Sequence, residues 1–285
     1  MIYLKTFYFT NKENPKTYGM TCFNTIYPFG VLSNHNIEEI DFEPITILYG
    51  GNGCGKTTAL NIIAEKLRIQ RDNLYNKSNF FEEYLELCEY ESKDIPRKSR
   101  IITSDDVFDY IMNLRYLNEG LDRKRMDLFN DYDGVKYNPE YFSTHRIKSL
   151  DDYETLKQAL SAKKTTKFQF VRKNLMPNAR EHSNGESAFL YFTDKIQENA
   201  LYLLDEPENS LSPEKQQELL QFIQDSARFY NCQFIIATHS PFLLSLKDAK
   251  IYDFDENPVK VKPWTALKNV RDYYNFFKLH EKEFI

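Results

Sequence analysis

Between Ile45 and Thr58 the chain reads Ile-Thr-Ile-Leu-Tyr-Gly-Gly-Asn-Gly-Cys-Gly-Lys-Thr-Thr, and this stretch constrains the fold more than any other. From Gly50 to Thr57 it has the form G-x-x-x-x-G-K-[ST]. An apolar β-branched run enters it, and a helical pattern of Leu60, Ile62, Ile63 and Leu67 leaves it. A strand, a glycine-rich turn and a helix N-terminus in succession aim backbone N–H groups at one point, which suits phosphate oxygens. The segment Gly50, Gly51, Asn52, Gly53, Cys54, Gly55, Lys56, Thr57 and Thr58 is therefore expected to hold the phosphates of a nucleotide. Lys56 supplies a cation for the β- and γ-phosphates, and Thr57 a hydroxyl for Mg²⁺. Cys54 reads as a small tolerated side chain inside the loop.

Two later segments fit the same chemistry. Ala200 to Leu204 is a buried-strand run that ends in Asp205 and Glu206. Such a strand brings Asp205 to the Mg²⁺ beside Thr57, and the next carboxylate, Glu206, can polarise water as general base. Gln233 to Ala237 is a third buried strand, followed by Thr238, His239 and Ser240. Parallel strands present their C-terminal ends to one crevice, so His239 is expected near the γ-phosphate. A helix from Pro213 to Tyr230 fits between these two strands. Ser183 and Glu186 have capping-box spacing ahead of an apolar helical run.

The remaining chain sets the surroundings. Residues 2–9, about 20–32, and Ile37 to Phe42 read as strands broken by turns, forming an antiparallel sheet beside the parallel core. Tyr27 and Phe29 are candidates for stacking on adenine, with a core role as the plainer alternative. From about 71 to 180 the chain is charged and poor in glycine, and it reads as a helical insertion. Helices are expected over Phe80 to Tyr90, from Thr103 or Ser104 through Leu117, and from Ser149. Basic clusters such as Arg123-Lys124-Arg125 alternate with acids, the pattern of a solvated mixed-sign surface. The net charge of −5 does not support polyanion binding through overall charge. Four scattered cysteines without a C-x-x-C pair indicate neither a zinc site nor a disulfide framework. No apolar run approaches the ~20 residues that span a bilayer, and Met1 to Phe7 reads as a strand, so a cytoplasmic protein without membrane insertion is expected.

Taken in order, Gly50 to Thr58, Ser183-Asn184-Gly185-Glu186, Leu203 to Pro207, Asn209 to Ser212 and Thr238-His239-Ser240 resemble the motifs of ABC-type ATPases. The chain is more similar to the heads of SMC and RecF-like DNA-maintenance proteins than to transporter ATPases. It is closer still to small stand-alone bacterial ATPases with a Glu-Pro-Glu-x-Ser-Leu-Ser-Pro stretch and an aromatic tail such as Trp264 to Phe284. The resemblance implies one α/β domain over 1–285, of the ABC-type P-loop NTPase fold, with a mainly parallel core sheet. It implies ATP with Mg²⁺ as ligands, catalysis by Lys56, Glu206 and His239, and metal binding by Thr57 and Asp205. It further implies that Ser183 and Gly185 serve the γ-phosphate held by a second copy, in an ATP-dependent homodimer.

The sequence departs from the family at three places. His182-Ser183-Asn184-Gly185-Glu186 stands for Leu-Ser-Gly-Gly-Gln, and Asn184 is expected to preserve the turn because asparagine tolerates unusual backbone angles. Ser212 stands where the loop after the catalytic carboxylate usually ends in Asp. Only Gln158 and Gln169 are candidates for the family's glutamine loop. The implied function is an ATP-driven dimerisation switch serving DNA maintenance or defence, with nucleic acid, a nuclease or another effector as partner. The alternative is the nucleotide-binding subunit of a transporter. Intact Lys56, Asp205 and Glu206 oppose a scaffold without hydrolysis.

Overall fold

The computed structural model describes residues 1–10, 25–137, 164–177 and 183–284. The chain divides into two compact units, Met1–Phe108 with Ser183–Ile285, and Asp109–His182.

The first unit contains two sheets. In chain order the strands are β1 (Leu4–Tyr8), β2 (Glu39–Asp41), β3 (Ile45–Tyr49), β4 (Glu89–Ser92), β5 (Arg100–Thr103), β6 (Leu201–Asp205), β7 (Gln233–Ala237), β8 (Lys250–Asp253) and β9 (Lys260–Val261). The larger sheet has the order β5-β6-β7-β3-β8-β9, parallel except for the last pair. Every residue of β3, β6 and β7 is buried. That explains their unbroken apolar runs, since a parallel strand covered on both faces has no polar side to display. On one face Leu48, Leu201, Leu203, Ile235 and Ala237 share a core with Ile62 and Ile63 of helix α1 (Lys56–Lys66). The alternate residues Tyr202 and Phe234 stack their rings at 5.6 Å.

The smaller sheet, β2-β1-β4, is antiparallel. It is fastened to the core by Gln233, the first residue of β7, whose side chain is fully buried. Gln233 Oε1 accepts from the N–H groups of Tyr3 (2.8 Å) and Leu4 (2.9 Å), and its Nε2 donates to Leu4 O (2.8 Å). A buried amide with its polar atoms paired avoids the cost of desolvation and fixes one geometry.

The structure corrects several local expectations. The expected strand at 20–32 is a series of turns over its described part, 25–32, with a cis bond at Tyr27–Pro28. The expected helix Phe80 to Tyr90 is shorter, α2 (Phe81–Glu86), and β4 follows it. Glu89, Tyr90 and Glu91 pair with β1 instead, so tertiary pairing overrides a locally helical pattern. The stretch 71–180 also contains β5, an edge strand of the core sheet.

The long helix α3 (Ser104–Tyr137) starts where its Ser and two Asp residues predict. Within the second unit, Leu128 and Tyr132 of α3 pack with Phe170 and Val171 of helix α4 (Lys167–Asn174). Lys167 pairs with Asp133 at 2.5 Å, and Arg123 and Arg125 pair with Glu119 and Asp122. Arg123 and Arg125 of the Arg123-Lys124-Arg125 cluster are thus paired locally, the pattern of a mixed-sign surface. The helix expected from Ser149 lies outside the described residues. The first unit is completed by α5 (Asn184–Lys195), α6 (Pro213–Phe229), α7 (Pro241–Leu244) and α8 (Lys268–Leu279). Among the described residues no helix is long and apolar enough to cross a membrane.

Candidate active site

Register places the site. Thr103, Asp205 and Ala237 are opposite one another across β5, β6 and β7, and Leu48 of β3 is opposite Ala237. The loops that follow these parallel strands therefore emerge at one edge of the sheet.

The loop after β3 turns through glycines that no other residue replaces easily. A Cβ on Gly50 would lie 2.6 Å from Cys54 Sγ, and Gly55 has φ +97° with Leu32 Cδ2 3.0 Å from its Cβ position. Lys56 is only 4% exposed, and its Nζ donates to Gly50 O (2.7 Å) and Gly51 O (2.9 Å). The ammonium is thereby desolvated and aimed before any ligand arrives. Gly51 N–H donates to Asp255 Oδ1 at 2.8 Å, which ties the loop to the chain after β8. Asn52, Gly53, Gly55, Lys56, Thr57 and Thr58 line a cleft of about 480 Å³ with Val31 and Glu206. Cys54 is buried beneath it, and burial raises its thiol pKa, so it fills space and is not poised to react.

Thr57 Oγ1 donates to Asp205 Oδ1 at 3.0 Å, joining residues 148 apart in sequence. Asp205 is buried, and that burial pushes its pKa from 3.8 up to about 6. The hydrogen bond from Thr57 works against the shift, while the charge of Glu206 adds to it. A hard oxygen pair short of positive charge fits Mg²⁺, which is usually held by one or two protein groups together with substrate phosphates.

Glu206 has φ +48°, a left-handed conformation that costs a non-glycine residue about 1–2 kcal/mol. Its N–H donates to Ala237 O at 2.8 Å, which holds the turn and sends the carboxylate to the cleft. Asn209 Nδ2 donates to its Oε2 at 3.1 Å. His239 Nδ1 lies 3.7 Å from Glu206 Oε1 and 3.5 Å from Glu208 Oε1. The structure thus brings Lys56, Thr57, Asp205, Glu206 and His239 to one edge.

Glu208 is a residue that sequence reasoning passed over. Its Oε1 accepts from Thr238 Oγ1 (2.7 Å), His239 N–H (2.9 Å) and Ser240 N–H (3.1 Å). The signal available was the repeated acid in Glu206-Pro207-Glu208. The pairing of Gly51 with Asp255 had no such signal, because the partners are far apart in sequence.

The expected Ser183–Glu186 capping box is present at the start of α5, with both reciprocal bonds formed. Asn184 is the first helical residue and does not have a positive φ, so the turn rests on the cap and not on an unusual Asn conformation. Ser183 and Gly185 are not among the residues lining the cleft. Ser212 caps α6, accepting from Lys215 N–H at 3.3 Å, which accounts for a serine at that position.

Of the adenine-stacking candidates, Phe29 is buried and packs edge-on against Tyr84. Tyr27 packs against Phe81 and donates from its hydroxyl to Thr58 Oγ1 at 3.3 Å. Both serve the core. Gln169 completes the capping box of α4 with Thr166, and Gln158 lies outside the described residues. At the position opposite Asp205, Thr103 instead donates through its N–H to Asp106 Oδ2 at 2.7 Å.

Residues 64–245 match the family described as "AAA domain, putative AbiEii toxin, Type IV TA system". The chain belongs to this family. Its fold is an α/β P-loop fold with a mainly parallel core sheet, and the phosphate loop lies just ahead of the matched segment. No curated protein matches the sequence. Solved structures similar to the chain include a nucleotide-free ATP-binding cassette from an ABC transporter. It is 15% identical, with 95% of this chain and 96% of that chain covered and a TM-score of 0.43. They also include the Smc head domain of Pyrococcus furiosus bound to the C-terminal domain of ScpA, 13% identical, covering 98% and 100%, with a TM-score of 0.42. The SMC head domain of Thermotoga maritima is 12% identical, covering 92% and 99%, with a TM-score of 0.38.

Proposed function

We propose that the protein binds Mg-ATP at Gly50–Thr58 and hydrolyses it. The observation that carries this reading is the 3.0 Å contact between Thr57 and Asp205 at the mouth of a cleft that contains Lys56 and Glu206. Thr57 and Asp205 would hold Mg²⁺, which would supply neutralising charge to the nucleotide phosphates when bound. Lys56 binds the same oxygens as a fixed cation. Glu206 takes the proton from the attacking water, and its strained backbone keeps its carboxylate facing the cleft. His239, held beside Glu206, hydrogen-bonds the γ-phosphate and reports its presence.

Ser183 and Gly185 act in trans. Both stand apart from the cleft at a helix N-terminus whose N–H groups suit an anion, and Ser183 is exposed. Two copies arranged isologously complete two sites, so that ATP favours the dimer and hydrolysis releases it. The family description, a putative toxin of a type IV toxin–antitoxin system, favours a defence-linked switch over transport. The partner of the switch is nucleic acid, a nuclease or another effector.

The direct test is nucleotide titration with Mg²⁺. Lys56→Ala should weaken ATP about 10²–10⁴-fold, since charge-assisted bonds to two phosphates contribute roughly 1.5–3 kcal/mol each. Wild-type affinity in that variant would refute the site. Pull-down of the ATP-trapped form separates the two processes: membrane subunits would mean transport, and nucleic acid or a nuclease would mean the switch.

A further inference from the structure

The peptide of His239 is gripped at both ends. Its N–H donates to Glu208 Oε1 at 2.9 Å, and its carbonyl accepts from Asn269 Nδ2 at 2.7 Å. The two grips come from separate parts of the chain. Glu208 follows the Asp205–Glu206 strand end. Asn269 belongs to the first turn of α8, beyond the segment that matches the family.

The Glu208 grip is buried, and the more exposed Asn269 grip is reinforced by a second bond. Glu208 is 6% exposed, and its one oxygen takes donors from three successive residues, Thr238, His239 and Ser240. A buried carboxylate is costly unless several donors compensate it, so this arrangement must repay its desolvation through the order it imposes. Asn269 also donates through its own N–H to Tyr49 Oη at 3.2 Å. Tyr49 is the residue immediately before the phosphate loop. One asparagine therefore ties the strand that enters the phosphate loop to the loop that carries His239.

We propose that Glu208 and Asn269 are positioning residues for turnover: they hold the His239 peptide from opposite ends and set the imidazole beside Glu206. The proposal rests on the reading of Glu206 and His239 as parts of an ATPase site. Its physical basis is that small misplacements of a group that must meet a reacting phosphate are expensive in rate, while ground-state binding through Lys56 is left intact. It also makes α8 part of the hydrolytic machinery through its first turn.

Removing Glu208 strands three donors and endangers folding, so Asn269 carries the test. Asn269→Asp keeps the shape and replaces the donor with a second acceptor, and Asn269→Ala removes the donor. Lys268→Ala, one residue away and 87% exposed, is the control. Both Asn269 variants should lower kcat about 10- to 100-fold, with KM for Mg-ATP and the melting temperature near wild type. Lys268→Ala should change nothing. The ring resonances of His239 should shift in Asn269→Ala and not in Lys268→Ala. Wild-type kcat in both Asn269 variants, with His239→Ala slow, would overturn the clamp and leave the ATPase reading standing. Wild-type turnover by His239→Ala would remove the role of His239 itself, and the clamp would fall with it. Unshifted His239 resonances would overturn the clamp whatever the rates.

Discussion

The loop Gly50–Thr58 and the turn Ser183–Glu186 both lead into a helix N-terminus, yet they treat their polar groups in opposite ways. In the first, Lys56 is buried, bonded to two loop carbonyls and surrounded by the cleft it serves. In the second, Ser183 and Asn184 are exposed, and the Ser183 hydroxyl donates to Glu186 Oε2 at 3.1 Å. One is a site that the chain completes with its own Thr57, Asp205 and Glu206. The other is an exposed helix N-terminus whose Ser183 groups are satisfied by the carboxylate of its own cap. The difference teaches that, under the proposed function, phosphate binding would be a property of one chain, whereas the trans contribution would need a second surface.

The comparison breaks most severely at Glu206. Glu206→Gln should bind ATP as well as wild type and lose about 10²–10⁴-fold in turnover, because the amide keeps the shape and cannot take a proton. Single-turnover kinetics would show it, and a wild-type rate would move the base elsewhere. Next comes Asp205. Its folded pKa of about 6 lies above the ordinary 3.8, so the folded state disfavours its charge. Below the ordinary value the group is protonated in both states and costs nothing. Stability falls as pH rises from there through the folded value, and above it the whole penalty, about 3 kcal/mol, is present. Asp205→Asn should therefore raise unfolding stability in neutral buffer with chelator by an amount of that order, with the gain vanishing in acid. Urea titrations at neutral and acid pH would measure it. No gain at neutral pH would mean that Asp205 is compensated by something other than a bound cation.

Much of the first region was legible in the sequence, and the reason is physical. A strand buried on both faces must be apolar throughout, so Ile45–Tyr49, Leu201–Asp205 and Gln233–Ala237 announce themselves, and the polar residues at their ends stand out. What could not be read depended on partners distant in sequence. Gln233 looked like the start of a strand and proved to be the amide that fastens the N-terminal sheet. Glu89–Ser92 has the composition of a helix end and became a strand because β1 offered it an edge. Glu208 and Asn269 were silent because a carboxylate or an amide declares its role only when the donors and acceptors around it are known.

The smallest expected effect concerns the second region. Glu186 holds a negative charge against Ser183, which in the proposed dimer would meet a phosphate. Glu186→Gln retains the capping-box chemistry and removes the charge. It should tighten the ATP-dependent dimer severalfold, within about 1 kcal/mol for charges at an exposed site. Analytical ultracentrifugation with non-hydrolysable ATP would detect the change, and a weaker dimer would show that the carboxylate assists the contact.

The most direct test of the account is complementation between two defective chains. Lys56→Ala abolishes the phosphate grip, and Ser183→Ala abolishes the outward hydroxyl. Each alone should be nearly inactive. In an equal mixture, half of the dimers are mixed and each mixed dimer has one intact composite site, so about a quarter of the wild-type ATPase rate should return. Recovery at that level is the predicted result. No recovery in a mixture shown by native mass spectrometry to contain mixed, ATP-bound dimers would contradict the claim that the two regions form one site across two chains.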